Sequence, residues 1–251
     1  MPQEEVRLQD ATSAYGVLSI VGPKSRELVA DLTNTDMSNS AFPFGTWQNL
    51  YIGHAPCWAQ RVSFTGELGW EIYVTPDFAD YVLQLFLDNG QALGLRLMGG
   101  EALNALRIEK GYLHWGHDLS YTDAPHQLGL EFLCKTNKAQ HFVGQLAYEQ
   151  RREEAKGPYV CHLTLADSLP MLHHNEAVLR GGEIVGFVTS GAYAQHSQRA
   201  VGLCVLELPA DSINKQYLEN GRYTVLIEGQ EYAANISLKS AFDPLHQNLR
   251  S

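Results

Sequence analysis

The residues best suited to chemistry in this sequence are the two carboxylates of the stretch Thr65-Gly-Glu-Leu-Gly-Trp-Glu71. Glu71 lies between Trp70 and Ile72, so the alternation of a strand places it on one defined face of a sheet. A carboxylate offers two acceptors and can pair with two adjacent donors of a ligand in charge-assisted hydrogen bonds. A solvated strand carboxylate is the alternative for Glu71, whereas Glu67 is interpreted as a turn residue.

A second group of candidate side chains lies in residues 111 to 126, GYLHWGHDLSYTDAPH, which break all periodicity. This stretch holds two Tyr, one Trp and three His, and loops of such composition often line sites. We interpret Trp115 either as a packed aromatic or as the wall of a binding channel. Arg107, in the helical segment before the loop, is either a partner in a helix-face ion pair or an anchor of the site.

Metal and nucleophile chemistry have little support in the sequence. His114 and His117 form a single His-x-x-His pair in a loop, which without a second pair of ligands is an unspecific pattern, and we predict no metal site. The pair His173-His174 is expected to be exposed. Ser190 lacks the pattern of a nucleophile elbow, so we predict a tight turn at this position.

Composition and charge limit the class of protein. With 251 residues and 45% apolar side chains, the chain can form one or two globular domains. The formal net charge of −10 argues against a nucleic-acid partner, because phosphate neutralisation needs clustered Lys and Arg. The apolar runs are too short to cross a membrane and no signal peptide is evident, so we expect the cytoplasm or a mitochondrial matrix. The four cysteines show no paired spacing, which predicts buried, reduced thiols.

The first half of the chain predicts the layer that would position Glu71. An apolar, β-prone run predicts a strand, and Pro23 predicts the start of a helix with Leu28, Val29 and Leu32 facing the sheet. An antiparallel meander follows, with residues 65–68 as its tight connection. The strands are predicted at 15–21, 47–53, 56–64 and 69–74, and helices at 77–89 and 100–110, the last with Leu103, Leu106 and Ile108 inward.

The second half predicts a compact antiparallel barrel or sandwich. Two short helices are predicted within residues 139–152, followed by a charged linker at 151–157. Gly181-Gly182 and Glu228-Gly229 fit hairpin turns. The strands are predicted at 159–166, 177–179, 183–189, 199–206, 223–227 and 231–236.

Four segments, in this order, carry a resemblance to a known family. They are Gly22-Pro-Lys-Ser-Arg26, Thr65-Gly-Glu-Leu-Gly-Trp-Glu71, Leu106-Arg-Ile-Glu-Lys-Gly111 with Trp115-Gly116, and Gly186-Phe-Val-Thr-Ser-Gly191. Together they resemble the aminomethyltransferase family, which includes the T-protein of the glycine cleavage system. The resemblance is closer to the folate domain of dimethylglycine and sarcosine dehydrogenases and covers the chain from about Tyr15 onward.

The resemblance implies a fold, a cofactor and a site. The fold would be α+β, a ferredoxin-like antiparallel sheet with packed helices followed by a small antiparallel β-barrel. The cofactor would be tetrahydrofolate, which accepts a one-carbon unit from an amine or iminium donor to give 5,10-methylenetetrahydrofolate. Glu71 would bind the pterin, Phe64 and Trp115 would bracket it, and Arg107 would be a further binding residue. The donor would come from a flavin-dependent amine dehydrogenase domain or subunit.

The sequence departs from the family pattern at two points, and these departures suggest an alternative function. Phe64 stands where the family has Tyr, so a hydroxyl near the folate is lost. The aspartate that poises the folate nitrogens in the family lies upstream of the segment that begins at Tyr15, so we expect a fragment, a partner subunit or an inactive protein. The alternative function is a non-catalytic regulatory or scaffold subunit. We predict a folate-binding part at 1–126, a helical connection at 127–157 and a barrel at 158–251.

Overall fold

The computed structural model describes residues 5–154, 157–167, 169–207 and 215–251. Contacts divide the chain into two compact units, Met1–Met98 with His246–Ser251, and Gly99–Leu245. The fold is α+β as predicted, with a four-stranded antiparallel sheet in the first unit and a closed antiparallel barrel in the second. The predicted domain boundaries after residues 126 and 157 divide the chain differently from these units and stay a prediction.

The first unit is a sheet with helices on one face. Its strands are β1 (Gly16–Val21), β2 (Trp47–Ile52), β3 (Ala55–Gln60) and β4 (Gly69–Val74), in the order β1-β4-β3-β2. Its helices are α1 (Ser25–Ala30), α2 (Pro76–Gly90), the short carboxyl-terminal helix Gln247–Arg250, and a 3-10 helix at Thr12–Ala14. All neighbouring strands are antiparallel, so the predicted meander of β2, β3 and β4 is confirmed.

Strict alternation along β4 separates the two faces of this sheet. Trp70 and Ile72 are fully buried in a core that also holds Val82 and Phe86 of α2. Side chains of the opposite face, which we call the open face, are exposed or half-buried, as Trp47 illustrates with 62% exposure. Burial of apolar area on one face therefore fixes the register that leaves the other face accessible.

Two details of the first unit differ from the prediction. The first helix begins at Ser25, not at Pro23, because Gly22 takes φ +120° and its carbonyl accepts the Ser25 N–H in a turn before the helix. The tight connection predicted at 65–68 is also wrong, because β3 ends at Gln60. The Arg61 backbone pairs with Gly45 and Thr46 ahead of β2, and its buried side chain donates to the Phe42 carbonyl at 2.8 Å, so residues 61–68 form a longer connection.

The second unit contains the barrel and the helices around it. The strands are β5 (Tyr159–Leu165), β6 (Ala177–Arg180), β7 (Glu183–Ala194), β8 (Arg199–Leu206), β9 (Tyr223–Ile227) and β10 (Gln230–Ser237), closed in the order β10-β5-β8-β7-β6-β9. The helices are α3 (Gly100–Lys110), α4 (Gln145–Glu154) and α5 (Lys215–Glu219), with 3-10 helices at Pro125–Leu128 and Glu131–Leu133. Because the sheet is closed, the second unit is a barrel and not the sandwich that the sequence also allowed.

The predicted hairpin turns of the barrel are confirmed. Gly181 and Gly182 take φ +62° and +90°, and Glu228 and Gly229 take +50° and +80°. Positive φ at both central residues is the conformation of the two-residue hairpin whose twist matches that of its strands. These turns join β6 to β7 and β9 to β10.

Three predictions for the second unit are wrong. One helix, Gln145–Glu154, replaces the two short helices, because Gly144 takes φ +89° immediately before it. The charged linker begins later than predicted, since residues 151–154 are helical, while 155–156 lie outside the described residues. Ser190 is not in a turn, because β7 continues through it with a register shift between Val188 and Ser190.

Candidate functional site

Glu71 lies in the interior of the open face of the sheet. It is aligned with Ser19 of β1 and Gln60 of β3, so strands flank it on both sides. The Tyr73 hydroxyl donates a hydrogen bond to Glu71 Oε2 at 2.8 Å. No described cation forms an ion pair with this carboxylate. Glu71 is therefore a half-buried carboxylate with one orienting donor and further acceptor sites that a ligand can use.

Four aromatic rings beside this carboxylate form what we call the aromatic face. The rings of Trp58 and Tyr73 are stacked, with centroids 3.6 Å apart and planes inclined by 6°. Trp47 and Tyr15 meet the Trp58 ring edge-on at 6.4 Å and 5.9 Å. Such contacts contribute beyond simple area burial and hold the rings in defined planes.

The Tyr73 phenol is suited to the role of donor. Burial raises its pKa above the ordinary value, and the hydrogen bond to Glu71 and the charge of Glu71 raise the pKa further. The phenol therefore stays protonated at neutral pH and donates to the carboxylate. Tyr73 was not among the predicted site residues, although strand alternation places it on the face of Glu71, two positions away.

Phe64 and Glu67 lie in the connection between β3 and β4, near the chain position of Glu71 but outside the strands. Phe64 is 37% exposed. Gly66 takes φ +82°, and the Glu67 N–H donates to Thr65 Oγ1 at 3.4 Å. Glu67 lies in a bend of the connection and not in the predicted tight turn, whereas the contact of Phe64 with folate stays a prediction.

Arg107 is buried in the second unit and belongs to a polar network. Its guanidinium pairs with the Asp118 carboxylate at 2.5 Å and donates to Ser190 Oγ at 2.7 Å. Asp118 also accepts the Thr189 hydroxyl at 2.6 Å and the His114 N–H at 2.8 Å. The network joins α3, the 111–126 loop and β7, which carry two of the segments in the family resemblance.

Two further charges at the end of α3 are buried and paired. Glu109 accepts the N–H and the hydroxyl of Ser197 at 2.8 Å and 3.0 Å. Lys110 donates to the carboxylate of Asp243 at 2.9 Å. The inward positions predicted for Leu103 and Leu106 are wrong, since both are only half-buried, while Ile108 is buried as predicted. The end of this helix therefore buries charged side chains whose hydrogen-bonding groups are satisfied, beside the apolar Ile108.

Trp115 is 64% exposed on the loop that Asp118 holds. The Gly116 N–H donates to the Leu119 carbonyl at 2.8 Å, so the loop closes directly after the tryptophan. His114 and His117 stack at 4.8 Å beside it. The exposed ring is available for contact with a ligand, and its role in folate binding stays a prediction.

The other features of the described residues give no competing centre. A cleft of about 760 Å³ in the first unit is lined by Asp31, Asn34, Asn49 and Tyr51 among others, and none of the four predicted site residues lines it. No arrangement of three or more His, Cys, Asp or Glu in the described ranges could hold a metal ion. Within those ranges, no helix combines the length and apolarity needed to cross a membrane.

Comparison with known proteins identifies relatives over nearly the whole chain. A 4-methylaminobutanoate oxidase (formaldehyde-forming) from Paenarthrobacter nicotinovorans is 36% identical over 96% of this chain and 28% of its own length. The mitochondrial sarcosine dehydrogenase of Mus musculus is 34% identical over 97% of this chain and 27% of its own length. The chain therefore spans about a quarter of the length of these two relatives.

A solved structure and two family models agree with these relatives. The aminomethyltransferase T of the glycine cleavage system from Bartonella henselae matches with a TM-score of 0.75 and 19% identity, over 91% of this chain and 60% of that chain, which shows the fold. The GCVT N-terminal domain matches residues 1–138, and the glycine cleavage T-protein C-terminal barrel domain matches residues 159–243. Because these two models cover most of the sequence, the chain belongs to the glycine cleavage T-protein family of aminomethyltransferases, a family of folate-dependent one-carbon metabolism.

Proposed function

We propose that this chain is a tetrahydrofolate-binding, aminomethyltransferase-like module in which Glu71 recognises the pterin. The observation that carries the proposal is the half-buried Glu71 carboxylate, which stands beside the aromatic face with no cation paired to it among the described residues. A pterin presents an exocyclic amine and a neighbouring ring N–H along one edge. Two adjacent donors match a carboxylate, and a flat heterocycle matches a flat aromatic surface.

The chemistry that this arrangement supports is positioning. The folate N5 would be held for attack on the carbon of an iminium donor, and departure of the amine with closure onto N10 would give 5,10-methylenetetrahydrofolate. Holding two reactants in a reactive geometry can lower the barrier by roughly 7 kcal/mol in favourable cases. Glu71 contributes by binding and orienting the ring, and no proton transfer is assigned to it.

The contacts of the other predicted site residues support folate binding to different degrees. The exposed rings of Phe64 and Trp115 stay proposed as folate contacts. For Arg107, the ion pair is buried and joins the loop residue Asp118, not a residue of the helix face, and together with Ser190 it supports a structural role more than a direct folate contact. We therefore propose that Arg107 supports the loop that carries Trp115.

The one-carbon donor is proposed to come from a flavin-dependent amine dehydrogenase domain or subunit. Support comes from the sarcosine dehydrogenase relative, in which the matching segment is 27% of the length. The cytoplasm or a mitochondrial matrix is the proposed compartment. A copurified or coexpressed dehydrogenase that supplies the donor would test this assignment.

The test of the binding claim compares two glutamates of one short segment. Glu71→Gln should weaken tetrahydrofolate binding by about 1.5 to 3 kcal/mol, because a charged acceptor is replaced by an amide that presents a donor of its own. Glu67→Gln is the matched control and should leave the affinity near that of the unaltered protein. Isothermal titration calorimetry measures both, and equal losses would show that the wrong glutamate was chosen.

A thermal shift series tests the class of ligand. Reduced folate should raise the melting temperature, whereas NAD and ATP should not, because a ligand that binds only the folded protein stabilises it by mass action. The alternative of a non-catalytic subunit predicts binding without turnover. The rate of methylenetetrahydrofolate formation from formaldehyde, measured with and without the protein, distinguishes this alternative from an active transferase.

A further inference from the structure

We infer that Tyr73 is a positioning residue, which holds the Glu71 carboxylate in the orientation that the edge of the pterin requires. Trp58 fixes Tyr73 in turn by stacking on its ring. The inference rests on the proposed function of Glu71 and assigns a role to a side chain that the binding proposal leaves unexplained.

The first step of the argument is the hydrogen bond itself. Glu71 and Tyr73 are two residues apart on β4, so their side chains emerge on the same face of the sheet. The Tyr73 hydroxyl lies 2.8 Å from Glu71 Oε2, within the usual range for such a bond. A free glutamate side chain rotates about several bonds, and ordering it on binding opposes affinity. A bond made before the ligand arrives removes part of that cost.

The second step concerns which acceptor sites remain. A carboxylate has two oxygens with about four acceptor sites in total. Tyr73 occupies one acceptor site of Oε2, so both sites of Oε1 and one site of Oε2 remain for a ligand. Two neighbouring acceptor sites on one carboxylate are the complement of two adjacent N–H donors.

The third step concerns the rigidity of Tyr73. Its ring is stacked on Trp58 with centroids 3.6 Å apart and planes 6° from parallel. Trp58 is held edge-on by Trp47 and Tyr15. Because ring contacts, and not the hydroxyl, hold Tyr73 in place, Tyr73→Phe should remove the hydrogen bond and leave the stack intact.

A double-mutant cycle tests the inference directly. Tyr73→Phe should weaken tetrahydrofolate binding about five- to tenfold, because the Glu71 side chain must then be ordered when the ligand binds. In the Glu71→Gln background the same change should weaken binding less than about twofold, because the group that Tyr73 positions is gone. Tyr51→Phe removes a hydroxyl from an exposed ring of the same sheet and is the matched control, with no expected change in affinity.

A ligand comparison supplies a readout that general damage to the structure would not produce. A reduced folate whose 2-amino group is replaced by a methyl group keeps the ring system but loses the donor that Glu71 would accept. Because the analogue keeps the ring N–H, Tyr73→Phe should weaken its binding by a clearly smaller factor than it weakens the binding of tetrahydrofolate. This comparison stays informative even if the variant is less stable, because both ligands are measured on one protein.

The outcomes separate the inference from the proposed function. Equal losses from Tyr73→Phe in both backgrounds, or equal losses for both ligands, would overturn the positioning role while leaving Glu71 as the pterin ligand. If tetrahydrofolate does not bind, or Glu71→Gln has no effect on binding, the proposed function fails and the inference fails with it. A smaller effect of Tyr73→Phe in the Glu71→Gln background, together with a larger effect on tetrahydrofolate than on the analogue, would support both the positioning role and the proposed function.

Discussion

Charged residues of the family motifs differ between the two units in how far they are buried and paired. In the first unit, Glu71 lies on an open sheet face with Tyr73 as its donor and with no described cation paired to it. In the second, Arg107 and Lys110 at the end of α3 are buried and each is paired with a carboxylate. Both kinds of residue occur in the motifs that carry the family resemblance. The motifs therefore contain both candidate site residues and residues whose contacts are structural.

The comparison indicates that a structural residue and a binding residue differ in whether all their hydrogen-bonding groups already have partners within the protein. A buried charge must be paired, because leaving it unpaired costs several kcal/mol. A carboxylate that keeps acceptor sites open on an accessible face pays no such cost and can exchange water for a ligand. This criterion predicts that variants of α3 and its partners will change stability, whereas variants of Glu71 will change affinity.

The largest expected effect comes from breaking the buried pair. Asp118→Ala should lower the free energy of unfolding by roughly 3 to 5 kcal/mol, because Arg107 then remains buried without its counter-charge. Urea-induced unfolding followed by circular dichroism measures the loss. The loop that carries Trp115 should also become more accessible to proteolysis.

The matched control is an ion pair at the surface of the same unit. Arg152 and Glu131 lie 3.1 Å apart with side chains 57% and 47% exposed. Glu131→Ala should therefore cost no more than about 1 kcal/mol. If Asp118→Ala costs no more than this control, the comparison between the two units loses its energetic basis.

The second effect concerns how closely the end of α3 packs against the barrel strand β5. Gly111 takes φ +78°, and a Cβ built on it would lie 1.8 Å from His162 Cε1. Gly111→Ala should cost about 3 kcal/mol, from a left-handed backbone with a side chain and from displacement of the imidazole.

The other end of the same helix provides the control for Gly111. Gly100 is the first residue of α3, and no atom lies within 4 Å of a Cβ built there. Gly100→Ala should be neutral or slightly stabilising, since Ala loses less backbone entropy on folding. Thermal unfolding of both variants measures the contrast, and equal melting temperatures would contradict the close packing.

Much of this fold is predictable from the sequence because its signals are local. The alternation around Glu71, the boundaries of α3 and β8, and the two-residue hairpin turns all follow from periodicity and turn chemistry. The length of β7 was not predictable in this way. A strand that passes through Ser190 with a register shift requires the partner strand β8, which local patterns do not specify.

The candidate site was predictable only in part. The motif predicts Glu71 as a site residue, which stays a prediction, and Tyr73 shares its face through period-two spacing. Asp118 was not identified as the partner of Arg107, because it lies eleven positions further along the chain, beyond the end of α3, in a loop without periodic signal. The burial of Arg107 likewise depends on Ser190, which is distant in sequence. Pairing between distant polar residues is decided by tertiary packing and has no local signature.

The smallest expected effect concerns pH and again involves the packing beneath α3. Desolvation lowers the pKa of His162 from its ordinary value of 6.5 to about 4. Between these values the unfolded chain binds a proton at this residue and the folded protein does not. Stability therefore rises with pH in this window, and the contribution of His162 is lost as the pH falls from about 6.5 to about 4.

Comparison of variants separates the contribution of His162 to the pH dependence of stability from the contributions of the other histidines. Between pH 7 and pH 5 the unaltered protein should lose about 2 kcal/mol more stability than His162→Gln, which carries no titrating group at this position. His173→Gln, at an exposed histidine, should keep the slope of the unaltered protein. Urea unfolding at a series of pH values gives the three slopes. Parallel curves for His162→Gln and the unaltered protein would mean that the imidazole beneath Gly111 is hydrated in solution, and the close contact between α3 and β5 would then have to be looser than the structure shows.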